Sequence, residues 1–101
     1  MKRAKTILNP FDQVLRLWVG PRNSPVLEGN DGRCGTYSDC IGIDIADDLE
    51  GIELLATIVH EATHCVEMLE DTVGELGRET RAYCAEWIVR WMISKIGIKV
   101  S

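Results

Sequence analysis

Ile52-Glu53-Leu54-Leu55-Ala56-Thr57-Ile58-Val59-His60-Glu61-Ala62-Thr63-His64-Cys65-Val66-Glu67-Met68-Leu69-Glu70 decides how this chain folds and what chemistry it can carry. Leu54, Leu55, Ile58, Ala62, Cys65 and Leu69 recur at three- and four-residue steps, which marks one apolar stripe along a helix. His60, His64 and Glu67 fall on another stripe, reached through Ala56, so the spacing predicts a continuous helix of about four to five turns. Asp47 or Asp48 offers a capping carboxylate ahead of it. His60 and His64 are the two histidines of the chain. Four residues apart on a helix, they stack on one face and can grip one divalent cation from one side. Glu61, directly after the first histidine, then sits beside the position left open for water. The plainer reading is a pair of ordinary histidines on an amphipathic helix.

The remaining composition bounds the answer. A chain of 101 residues is one domain with no room for a second lobe, and 46% hydrophobic residues make it globular. Eleven Lys and Arg against 16 Asp and Glu give a formal charge of −5. Without a concentrated basic patch, that balance argues against nucleic-acid partners. No apolar run is long enough for a leader's hydrophobic region or a membrane span, so the expectation is a cytoplasmic protein with no membrane partner. Cys34, Cys40, Cys65 and Cys84 are then expected as reduced thiols. Cys65 and Cys84 fall in helical patterns and read as small buried hydrophobes. The six-residue step from Cys34 to Cys40 exceeds the usual zinc-ligand spacing. Cys34, within Gly32-Arg33-Cys34-Gly35, reads as a loop cysteine, with a metal-capping thiolate as the lesser alternative.

Val14 to Val19 is rich in β-branched and aromatic residues and ends at Gly20-Pro21, so it reads as a strand. Arg22 to Gly35 reads as loop or hairpin. Ile41-Gly42-Ile43-Asp44-Ile45 alternates as a half-buried strand does. After the histidine helix, Asp71 to Gly77 forms a connection. A second helix runs from about Arg78 to Lys95, with Ala82, Ala85, Ile88, Val89, Met92 and Ile96 inward and Gly97 closing it. The predicted class is α+β: a small sheet packed on two antiparallel helices. Trp87 and Trp91, four apart, read as cover for the helix pair. Arg81 and Arg90 read as solvated helix charges.

A catalytic zinc site usually has three protein ligands plus water, and no third histidine exists. Glu70 points away from the histidine face if the helix is unbroken. Glu67 is on that face but a turn too far along, which suits a supporting role or a plain surface position. Glu75, in the connection, is possible. Glu79 is the better choice, because an antiparallel partner helix brings its first turn back past the end of the first. The competing reading of Glu79 is a helix-capping carboxylate.

His60-Glu61-x-x-His64 followed by Glu79-Thr80-Arg81-Ala82-Tyr83 resembles the gluzincin pattern of zinc metallopeptidases. Over roughly residues 36 to 92 the short format resembles the minigluzincins, the ImmA/IrrE-type peptidases and small zincin-like proteins of bacteriophages. The resemblance implies a minimal zincin-like domain in which a strand like Cys40–Ile45 edges the sheet over the cleft. It implies Zn²⁺ held by His60, His64 and Glu79, with Glu61 as general base in peptide-bond hydrolysis. Tyr83, one turn after Glu79, becomes a candidate oxyanion donor, against a packing or ligand-orienting role. Asp44 and Asp39 are candidate acceptors for a ligand imidazole N–H, against plain surface positions. The expected partner is a protein or peptide substrate. The rival reading is a catalytically weak or inactive zincin-fold protein, phage or mobile-element encoded, that binds or regulates one specific protein. Glu61 argues for the enzyme, since a purely structural site needs no base beside its first ligand.

Overall fold

The structure, a computed structural model, describes residues 2–98. Four strands and two helices follow in the order β1 Lys2–Leu8, β2 Gln13–Gly20, β3 Gly32–Thr36, β4 Ile41–Ala46, α1 Gly51–Val73 and α2 Arg78–Ile96. The sheet order is β1-β2-β4-β3, with β2 and β4 parallel and both outer pairs antiparallel. The α+β class expected from the sequence is therefore observed, as a mixed sheet with two helices against one face.

Strand alternation sorts the side chains. Leu15, Leu17 and Val19 of β2 register with Ile41, Ile43 and Ile45 of β4, and all six are buried on the helix side. They meet Leu54, Ile58, Ala62, Cys65 and Leu69 of α1 and Cys84, Ile88, Trp91 and Met92 of α2 in one core. Each fully buried Leu or Ile contributes about 1.5–3 kcal/mol. Lys2 of β1 donates from Nζ to the Ile96 carbonyl at 2.6 Å, a cation on the C-terminal end of α2 where the helix dipole favours it. Gly97 closes α2 in the left-handed conformation, φ 79°, and its N–H donates to the Ile93 carbonyl.

Several expectations change in physical detail. Lys2–Leu8 is a strand, although its sequence reads only as a basic N-terminus: pairing with β2 gives it order that its own residues do not announce. Gly32–Thr36 is a strand as well, and it, not Cys40–Ile45, forms the sheet edge beside α1; β4 lies in the interior between β2 and β3. Cys34 is thus a strand residue. Nor is β4 half-buried: all six residues are covered, because Arg16, Tyr37, Trp18 and Leu27 roof its other face. The segment 21–31 is held in place by Arg22, whose guanidinium donates to Asp31 and to both oxygens of Asp48. Asp48 is thereby occupied, and α1 begins at Gly51 after Glu50 with no side-chain cap.

Helix α1 has 23 residues, longer than expected, and leaves residues 74–77 as the connection. Its buried stripe is wider than expected: Thr57 and Glu61 are buried against Gly32 of β3 and Val66 is buried on the α2 side, while Leu55 is exposed. The inner face of α2 is rotated from the expected one. Cys84 and Trp91 are central, Ala85 and Val89 half-buried, and Ala82 exposed, because the large Trp91 ring takes the core position. Trp87 stacks on Trp91 with ring centroids 6.5 Å apart. No helix among the described residues is long and apolar enough to cross a membrane.

Candidate metal centre

His60 and His64 project from one exposed face of α1. Their Nε2 atoms lie 3.2 Å apart, with the rings edge to face. His64 donates from Nδ1 to Glu67 Oε1 at 2.7 Å. That bond fixes the tautomer with a proton on Nδ1 and leaves the Nε2 lone pair facing His60. Metal–nitrogen bonds of about 2.0–2.1 Å separate two nitrogens on one tetrahedral zinc by about 3.3 Å. The observed spacing and the imidazole donors fit that requirement. Glu67, expected on the metal face as a supporting or a surface residue, is exposed and hydrogen-bonded to His64.

Glu61 lies at the margin of the pair and is only 5% exposed. Burial pushes its carboxyl above the ordinary range; His60 and His64 pull it back, and Asp44 adds a small upward push. The local reason for the burial is Gly32 in the edge strand. A Cβ there would stand 2.9 Å from Glu61 Cγ and 3.0 Å from Thr57 Cγ2, so only glycine lets β3 lie this close over the carboxylate. Asn30, Asp31, Gly32, Glu53, Ala56 and Thr57 together with His60 and Glu61 line a surface cleft of about 340 Å³. Gly32 was not singled out from sequence, because a glycine between Asp31 and Arg33 looks like any turn residue.

Two residues along β3 from Gly32, Cys34 packs against α1, its Sγ 3.6 Å from Met68 Sδ. Pairing with the Cys65 thiol, then burial, holds the Cys34 thiol well above its usual range, so it remains protonated among apolar neighbours. It does not cap the histidine pair. All four cysteines are free thiols.

Glu79 stands exposed in the first turn of α2, and Tyr83, one turn on, is 62% exposed. Among the described residues no three His, Cys, Asp or Glu side chains converge closely enough to enclose an ion. The structure thus brings together His60, His64, Glu61 and Glu67 and leaves Glu79 and Tyr83 outside that cluster. Glu70, facing away from the histidines, accepts from the Leu76 N–H at 3.0 Å and pairs with Arg81 at 3.1 Å, which holds the start of α2 against the end of α1. Arg81 is therefore a fastening residue, not merely a solvated charge. Asp44 does not serve the histidines either. It is buried on the far face of the sheet, where Arg16 Nη1 donates to its Oδ1 at 3.2 Å. Asp39 is exposed beside Cys40.

Comparison of the chain with known protein families, with curated proteins and with solved structures finds no match.

Proposed function

We propose that this protein is a zinc metallopeptidase of gluzincin type, with a minimal zincin-like fold and a protein or peptide substrate. The observation that carries the reading is the 3.2 Å spacing of two imidazole Nε2 atoms beside a buried glutamate. His60 and His64 would hold the ion, and Glu67 orients His64 by fixing its tautomer. Glu79, exposed in the first turn of α2, is the proposed third ligand. When bound, Zn²⁺ supplies a lowered pKa for its water and polarisation of the scissile carbonyl. Glu61 accepts the water's proton on its carboxylate and passes it to the departing amine. The cover of Gly32 and Thr57 keeps bulk water from one side of that carboxylate. Tyr83 is the candidate for a further oxyanion donor.

A second reading is favoured by the separation of Glu79 and Tyr83 from the histidine pair: a weakly active or inactive zincin-fold protein that binds one partner, in the host cytoplasm if phage-encoded. One series separates the two. Wild type should carry close to one zinc per chain, and His60→Ala or His64→Ala should lose it. Glu61→Gln should keep the metal while peptide hydrolysis falls on the order of 10²–10⁴-fold. Glu79→Ala should weaken zinc more than Glu75→Ala or Glu70→Ala in competitive chelator titrations. An apoprotein that stays empty after zinc supplementation would refute the metal site. Equal hydrolysis by wild type and Glu61→Gln would refute the enzyme and leave the binder.

A further inference from the structure

The sheet face turned away from the helices holds a pocket that the histidine site does not use. Strand register puts Arg3 and Lys5 of β1, Arg16 and Trp18 of β2, Gly42 and Asp44 of β4 and Arg33 of β3 on this face. No run of basic residues announces it in the sequence, yet pairing gathers four cations from three strands. Part of the face forms a cavity of about 610 Å³, within the size range of small-ligand sites. Its lining sets three cations, Arg3, Lys5 and Arg16, against one carboxylate, Asp44. In a chain of net charge −5 that is a local reversal of sign.

The floor points to more than a simple anion. The Asp44 side chain is 1% exposed, and only its Oδ1 is engaged, by Arg16. Its Oδ2 is buried with no hydrogen-bond partner. A buried carboxylate oxygen accepts and never donates, so it calls for an N–H or O–H from whatever enters. Above it, the Arg16 guanidinium lies over the Tyr37 ring, 5.1 Å from the centroid. Both sit where a Cβ on Gly42 would be, 2.3 Å from Arg16 Nη2 and 2.6 Å from Tyr37 Cε2, so Gly42 makes the room for this stack. Arg16 and Tyr37 are partly exposed and are the movable pieces over Oδ2. A planar cation–aromatic pair of this kind accepts a further flat ring.

We propose that this pocket binds a nucleotide whose base carries an exocyclic amino group. The amino N–H donates to Asp44 Oδ2, the base lies along the Arg16–Tyr37 stack, and the phosphate meets Arg3 and Lys5 at the rim. Carboxylates read base amino groups in this way, and a carbonyl at the same ring position would face Oδ2 with a second acceptor. The site is independent of zinc and of hydrolysis.

Calorimetric titration in chelator-containing buffer tests it. The ligands are cytidine and uridine monophosphate, adenosine and inosine monophosphate, and inorganic phosphate. Each nucleotide pair exchanges amino for carbonyl at one ring position. In at least one pair the amino member should bind one to one and at least about tenfold tighter than its partner, because the partner leaves Oδ2 unmet. Inorganic phosphate should bind more weakly than either. Lys5→Glu, an exposed change whose fold is checked by circular dichroism, should weaken the amino nucleotide at least about tenfold. Asp44→Asn, if it folds, should erase the preference within the pair. Absence of binding at millimolar nucleotide, equal affinity within both pairs, phosphate as tight as the nucleotides, or an unaltered Lys5→Glu would each overturn the proposal.

Discussion

The two faces of β4 invite comparison, because each carries a buried carboxylate within reach and the two are held differently. On the helix side, Ile41, Ile43 and Ile45 disappear into the core, and Glu61 of α1 is buried against Gly32 of the neighbouring edge strand. Its neighbours are two exposed histidines, which pull its raised carboxyl back toward the ordinary range. On the open side, Asp44 is tied to an arginine that never gives up its proton. The first arrangement suits a group that must gain and lose a proton. The second suits a fixed acceptor. One strand therefore divides the molecule into an exchange face, where the carboxylate stands beside two histidines, and a clamped face, where burial raises the carboxyl while an arginine holds one of its oxygens.

The sharpest way to break that division is to cut on both sides of a single strand. Ile43→Ala removes a fully buried side chain from the helix-side core and should cost about 2–5 kcal/mol. Gly42→Ala adds one methyl on the other side, against the ends of Arg16 and Tyr37. Those flexible groups can swing away, but the swing releases Asp44 from its one partner, so a cost of about 1–3 kcal/mol is expected. Urea unfolding of both variants decides it. A larger loss from Gly42→Ala than from Ile43→Ala would mean that the open face, not the helix packing, holds the sheet together.

A smaller effect sharpens the reading of the exchange face. Glu67→Ala removes the acceptor that fixes the His64 tautomer. Both residues are exposed, so the fold should stand, while zinc affinity should fall about 10–100-fold. Chelator competition measures it. If affinity is unchanged, Glu67 is an ordinary surface charge, and the ordering of the histidine pair comes from elsewhere.

Legibility in the sequence follows the same line. The α1 stripe, the strands β2 and β4, the second helix and its Gly97 terminus were readable, since each rests on local periodicity or local turn chemistry. His60, Glu61 and His64 were readable for the same reason: their geometry lies within one helix. The strand at Lys2–Leu8 was not, because its alternation is polar on one face and its order comes from a partner strand. The edge role of β3, the cover of Gly32 over Glu61 and the clustering of Arg3, Lys5, Arg16 and Arg33 depend on strand order, which no local pattern contains. The rotation of α2 was missed because the large Trp91 ring takes a core position in place of the smaller Ala82, Ala85 and Val89. Asp44 looked like a polar residue on an exposed strand face, and the roof of residues 21–31 and Tyr37 made it buried.

The smallest expected effect concerns both carboxylates at once. Burial raises Glu61 and Asp44 above the ordinary carboxylate range, although the histidines pull Glu61 down and Arg16 and Arg33 pull Asp44 down. A group whose folded-state pKa is raised binds its proton more tightly in the native protein than in the unfolded chain. Its contribution to stability is fully present below the unfolded value and is lost as pH rises through the folded one. These two groups should therefore make the metal-free protein more stable at about pH 5 than at about pH 7.5. Asp48 works in the opposite direction, since Arg22 lowers it, but its loss falls at and below the ordinary carboxylate range, outside this window. The Glu61→Gln, Asp44→Asn double variant cannot take up these protons, so its stability should change less across the same interval. Urea midpoints of the two proteins, measured with chelator present to keep zinc linkage out, give the comparison. Parallel slopes for wild type and double variant would show that neither face stores a titrating carboxylate, and the contrast between them would then rest on packing alone.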